Sequence, residues 1–287
     1  MNIDIGRVFS NTWEMIKQRF WLLLGLWAVF FAVQMVFAII FSVIMGGSFA
    51  AAASGGGDAM LEGLGVGAMV MIFILYIGYI MIALAQQCSM TEMASPIEKP
   101  EFGQAFTNGF RAAPTLLGLL FVLLLGYIGF AIVAAIIGAI LSILGEIGGW
   151  LMLLIVIPAA LYLMARLSVI VPVISVDKER NPFKAIGRTW NMTNGKALSI
   201  IVVFLIVIGV ALLMIGIPIF VMFGSAFGAA ASGDPSAAAG AVAGVIGGFL
   251  LIFPLFIIYS IFSAAIISCL HAEVTDSTAE KAQETFS

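Results

Sequence analysis

The chain has 287 residues, of which 63% are hydrophobic and only 9% charged, with a formal net charge of −3. Soluble domains carry about 45–50% apolar and roughly 25% charged residues, so a water-facing surface could not be built from this composition and lipid must be the main solvent. Nucleic-acid binding is excluded as well, because the twelve Lys and Arg are interleaved with fifteen Asp and Glu and form no basic patch.

The chain opens with an amphipathic stretch, Ile3–Arg19, which Asn2 or Asp4 can cap. The first apolar run, Phe20–Met45, is 26 residues interrupted only by Gln34 and Ser42. A cleavable signal has an apolar region of about 7–15 residues, so this run reads as a retained span. The small residues at Ser48–Gly55 come too late for cleavage. Further runs follow at Leu64–Ala85, Pro114–Leu144, Trp150–Val176, Ala197–Phe227 and Gly240–Leu270. Crossing a bilayer takes about 20 apolar residues, and all six runs qualify. None alternates with period two, and only helices or closed barrels satisfy their own backbone in lipid. The expected fold is therefore an all-α integral membrane protein of six transmembrane helices.

Charge placement predicts the orientation. The connections 46–63, 145–149 and 228–239 carry Asp58, Glu62, Glu146 and Asp234 but no Lys or Arg, whereas the other side holds eleven basic residues. By the positive-inside rule that side is cytoplasmic and both termini lie there. Cys88 and Cys269 are expected to be reduced and buried rather than bridged.

Three short amphipathic helices superpose without gaps when Trp13, Phe110 and Trp190 are aligned. The polar positions are Arg7, Asn11 and Glu14, then Gln104, Asn108 and Arg111, then Lys184, Arg188 and Asn191. Each set is spaced i, i+4, i+7 on one helix face. Pro100 opens the second helix, Asn181-Pro182 caps the third and Asn194-Gly195 stops it. A basic, aromatic-ended helix of this kind suits the headgroup layer. The chain thus reads as three repeats of cytoplasmic interfacial helix plus transmembrane hairpin, units 1–88, 98–176 and 181–272. These form one domain, 1–272, followed by a flexible tail, 273–287.

The stretch Ala165–Gly195, ARLSVIVPVISVDKERNPFKAIGRTWNMTNG, resembles the signature of the membrane-domain family of glycerophosphoryl diester phosphodiesterases. Arg166, Pro172, Asp177, Ala185, Arg188, Thr189, Trp190, Thr193 and Gly195 occupy the pattern. In some members a soluble phosphodiesterase barrel is fused to the membrane part. Nothing like it is present in this sequence, so the resemblance implies the membrane architecture without the activity.

Candidate functional residues follow from polarity in an apolar setting. Arg166 lies 16 residues after Trp150, about 24 Å along a helix, which places it in the inner third of its span. It either anchors the fourth span or binds an anionic headgroup between repeats. Lys184, Arg188, Trp190, Trp13, Arg7 and Arg111 make up the rest of the candidate headgroup set, and Gln34 and Gln87 are the candidate intramembrane polar groups. Pro158, Pro172, Pro218 and Pro254 mark kinks. Gly240, Gly244 and Gly248, like Ala131, Ala134, Gly138 and Ser142, mark close helix packing. Catalytic, metal and cofactor sites are not expected. His271 is the single histidine, the acids read as dispersed over loops, and neither a nucleotide loop nor an HExxH motif occurs. The expectation is a non-enzymatic protein of the lipid interface, with membrane phospholipid and an unidentified membrane or envelope protein as partners. The alternatives are a permease or channel for a small or lipid-like solute, and a membrane-anchoring subunit of a separate hydrolase.

Overall fold

The computed structural model describes residues 3–55, 66–232 and 235–286, and every regular element among them is helical. Asp58, Glu62 and Asp234 of the outer connections lie outside the described residues. The elements are α1 (Ile5–Gly55), α2 (Val66–Met93), α3 (Phe102–Leu141), α4 (Glu146–Leu167), α5 (Ile170–Ser175), α6 (Pro182–Met192), α7 (Ala197–Ala211), α8 (Ile217–Ser232) and α9 (Pro235–Phe286). Among the described residues, six stretches are long and apolar enough to cross a membrane: Ile5–Val43, Val70–Met93, Phe102–Leu144, Glu146–Ser175, Ala197–Gly228 and Ala239–Asp276. Each contains one of the runs read from the sequence or most of it.

Local chemistry sets the helix boundaries. Asp4 caps α1 by accepting the Arg7 amide at 3.0 Å. Asn181 caps α6 by accepting the amides of Phe183 and Lys184 at 3.0 and 3.3 Å, with Pro182 in the first turn. Gly195 adopts φ +71° and ends the turn after α6. The first two amphipathic segments, however, are not separate interfacial helices. Residues 15–19 contain no Gly or Pro, so α1 runs straight from its amphipathic turns into the span. Pro114 removes only one backbone donor, and α3 continues through it.

Proline does interrupt elsewhere. Pro172 cannot donate to the carbonyl of Ser168, and the fourth span breaks into α4 and α5 at that point. Upstream of Pro218 the fifth span passes through a π-helical turn, Leu212–Gly216, between α7 and α8. The expected boundary at residue 272 is also displaced. Helix α9 continues to Phe286, and Glu273 and Val274 are buried in the bundle, Glu273 against Arg7 of α1 and the Val274 carbonyl against Lys196.

The spans pack as a ring in chain order. α1 lies against α2, α2 against α3, α3 against α4 and α4 against α7; α8 lies against α9, which returns to α1. Short α5 touches α2, α3, α6 and α9, and five of its six residues are buried, so it plugs the ring at the end where the basic residues gather. Glycines fix the closest approaches. A Cβ on Gly109 of α3 would lie 1.8 Å from Ser89 Oγ and 2.5 Å from the Ala85 carbonyl of α2. On α9, Gly244 and Gly248 admit Ser225 and Met222 of α8 in the same way. These steps therefore serve packing within the chain, while Gly240 has no neighbour within 4 Å of its Cβ position among the described residues.

Candidate functional site

The acidic turn between α5 and α6 is the hub of a polar lock. Asp177 Oδ2 accepts from Arg188 Nη2 at 2.7 Å and lies 3.3 Å from Nε2 of the fully buried His271 on α9. Arg7 of α1 grips Glu273 of α9 with two donors, Nε to Oε2 at 2.6 Å and Nη2 to Oε1. Lys196, just before α7, donates to the Val274 carbonyl at 2.9 Å. Ser268 of α9 donates to the Thr91 carbonyl of α2 at 2.8 Å, and Asn108 of α3 donates to Glu92 Oε1 of α2 at 2.7 Å. These bonds tie α9 to α1, to α2, to the α5–α6 turn and to the segment before α7, and α2 to α3, so the polar groups hold the ring together where it is plugged. Glu92 and Glu273 lie on helices and are buried, not in loops as the sequence suggested. Glu92 is 1% exposed, and its Oε2 has no partner among the described residues.

Arg166, at the end of α4, is 4% exposed. Its guanidinium carbon lies 4.5 Å from the Trp190 ring centroid and 5.5 Å from that of Tyr162, and the two rings meet edge to face. One terminal nitrogen donates to Asn194 Oδ1 at 3.3 Å, while Thr193 Oγ1 donates to the Arg166 carbonyl at 3.2 Å. The delocalised cation replaces water with aromatic faces. Nε and Nη1 are buried without an acceptor among the described residues, so the slot leaves hydrogen-bonding capacity unused.

The sequence candidates separate into two groups. Arg7, Arg188, Arg166 and Trp190 are held in contacts within the chain. Lys184 and Arg111 are exposed, and Trp13 is 60% exposed with Lys17 Nζ 5.2 Å from its ring. The resemblance residues are thereby joined in space. Asp177 pairs Arg188, Trp190 covers Arg166, Thr193 bonds back to Arg166, and Gly195 makes the turn. His271, seen in the sequence only as a solitary histidine, is the residue that reading missed. Its position one turn after Ile267 on the last span places it opposite the turn.

A second polar feature lies between α1, α2 and α9. Gln34 Nε2 donates to Gln86 Oε1 at 2.7 Å across α1 and α2. The pair forms part of the floor of a cleft of about 640 Å³ walled by Trp27, Phe31, Tyr79, Phe249, Phe253 and Phe256. An adjoining cavity of about 250 Å³ shares Ala83, Gln86, Phe256 and Ser260 with it and adds Gln87, Thr91 and Ser263. Tyr79, Phe249, Phe253 and Phe256 are exposed, so the cleft opens sideways. Gln34 and Gln87 thus line adjoining spaces. Arg166 lies apart, on a helix that packs against α3, α6 and α7.

A helical ring with six membrane-length stretches, plugged and cross-locked at its basic end, defines a multi-pass membrane protein. Residues 136–286, just over half of the chain, match the family described as the membrane domain of glycerophosphoryl diester phosphodiesterase. The chain belongs to that family. The matched segment runs from the last turns of α3 to the end of α9 and includes Arg166, Asp177, Arg188, Gly195 and His271, while Arg7, Thr91, Glu92 and Asn108 lie outside it. No curated protein and no solved structure matches the chain.

Proposed function

We propose that the protein acts without catalysis at the lipid interface, holding membrane phospholipid and giving an envelope or membrane protein partner a rigid support. The observation that carries this reading is the contrast between a closed end and an open side. α5 and the Asp177 lock fill the ring where a conducting path would leave it, while the polar-floored cleft opens laterally. Gln34, Gln87 and Arg166 do not share one space, which speaks against the permease alternative.

On this reading the basic end faces the cytoplasm of a bacterial inner membrane, both termini included, because eleven basic residues fall there and none on the other side. The three-repeat origin draws support from matching burial. Val8, Ala105 and Ala185 are buried, as are Thr12, Gly109 and Thr189, while Trp13, Phe110 and Trp190 are exposed. A second reading, a membrane anchor for a separate hydrolase, is favoured by the description of the matched family.

The test is native mass spectrometry of the protein released from mild detergent. Retained phospholipid in stoichiometric amount is the expected result, and a lipid-free protein would remove the basis of the proposal. Co-purification of a hydrolase with lipid-free protein would move the assignment to the anchor.

A further inference from the structure

The cleft beside α2 has a graded lining. Toward the basic end it offers Thr91, Ser263 and Gln87; next come Gln86, Ser260 and Gln34; beyond Tyr79 it continues into an apolar space of about 300 Å³ lined by Phe37, Phe41 and Leu75. From Tyr76 to Thr91 the lining covers about 22 Å of helix at 1.5 Å per residue, compared with a hydrocarbon core of about 30 Å. Its length thus suits one leaflet and a little more. Among the described residues, no charged one lines any of the three spaces. The volumes of the two polar-floored spaces approach or fall within the ~300–1,000 Å³ of small-ligand sites.

Within this lining the polar groups have unused donors. In the Gln34–Gln86 pair one amide N–H is engaged, which leaves the Gln86 amide nitrogen and the second Gln34 N–H facing the cleft. Gln87 is exposed inside a membrane-length helix, and its side chain has no protein partner among the described residues. An amide in hydrocarbon calls for a partner, and here the protein supplies none.

We propose that this cleft seats one diacyl lipid of the leaflet at the basic end. Its ester carbonyls accept from Gln34, Gln86 and Gln87, and one acyl chain lies along Tyr79 and Phe37. The charged headgroup stays outside at the level of Thr91, consistent with an uncharged lining. The assignment rests on the lipid-interface reading above and adds to it the place, the leaflet and the chemical group recognised.

The experiment reconstitutes the full chain in vesicles of phosphatidylethanolamine and phosphatidylglycerol. These contain a trace of diester phosphatidylcholine with a photoreactive diazirine on one chain, or its diether counterpart without carbonyls. Adducts are mapped by mass spectrometry. The diester probe is expected to label Tyr79 and the α9 wall near Phe256. The cleft-filling pair Ala83→Leu and Ser260→Leu lowers that labelling about tenfold, while labelling of lipid-facing Trp150 and Leu154 on α4 stays constant and reports an intact fold. The diether probe labels the cleft more weakly than the diester, and the difference disappears in Gln86→Leu/Gln87→Leu. Labelling that follows exposure alone, or that ignores the filling pair, overturns the proposal. Should the labelling fail while native mass spectrometry still finds lipid, the cleft fails and the lipid-interface reading survives; if no lipid is retained, both fail.

Discussion

In α3 every buried residue lies between Ala105 and Leu119, and none from Leu120 to Leu141 is buried. Helix α9 runs the other way, with its buried hydrophobic residues between Ile261 and Val274. The two ends of the ring are therefore built differently, although both are apolar. Inside a bilayer a neighbouring helix offers a leucine no better solvent than an acyl chain does. Close approach and polar partners decide where helices hold together. The basic half has Gly109, Ala112, Ala113, Ser89 and Thr91 at the contacts, whereas the other half presents Leu124, Leu125, Ile132 and Ile136 outward.

The sharpest way to break this contrast is at Gly109. Gly109→Val drives a side chain into Ser89 and the Ala85 carbonyl, and the expected loss is about 3 kcal/mol or more, read as the fraction folded in a detergent-to-denaturant titration. A matched pair on one helix comes next. Leu116→Ala, at a position 4% exposed, should cost about 2 kcal/mol. Leu125→Ala, at a position 70% exposed, should stay within about 0.5 kcal/mol by the same titration. Equal costs at the two sites would remove the distinction between the halves.

Charge gives finer tests. Asp177→Ala strips His271 and Arg188 of their common acceptor, with an expected cost of about 2 kcal/mol. Thermal unfolding should show it, and Asp177→Glu should restore part of it. Arg166→Lys keeps a buried charge but loses the planar stack on Trp190 and Tyr162. It should destabilise by about 1–2 kcal/mol, more than Arg166→Leu, which also removes the two unaccepted donors. The smallest effect is expected at Lys178, which holds φ +59° and pairs with Glu98 on the surface. Lys178→Gly relieves the left-handed backbone by about 1 kcal/mol and gives up a surface pair of similar or lower value. Its melting temperature should equal or slightly exceed that of the parent chain.

Much of this was legible in the sequence because membrane length and charge bias are properties of local composition. The six spans, the Asn181 cap, the Gly195 stop and the Gly244–Gly248 contact follow from residues within one or two turns of each other. What could not be read was which polar residues meet. Gln34 finds Gln86 across 52 positions, Arg7 finds Glu273 across 266, and Asp177 finds His271 across 94. A helical wheel shows each of these as a polar residue on a face and says nothing of the partner. For the same reason Arg188 and Arg7 looked like headgroup ligands, although their guanidinium groups are turned to carboxylates of the chain itself. The continuity of α1 is a subtler case, since an amphipathic pattern specifies a helix face but not whether the helix bends where the pattern ends.

The pairing of Arg7 with Glu273 also orders biogenesis. A ribosome delivers the arginine first, and the carboxylate emerges only near the end of the sixth membrane-length stretch. Until then α1 has no α9 beside it, and the wall of the lateral cleft that carries Phe249, Phe253 and Phe256 does not exist. Up to that point the bundle lacks the helix that joins α8 to α1. Closure of the ring by the last helix is then the step that completes both the bundle and its side opening.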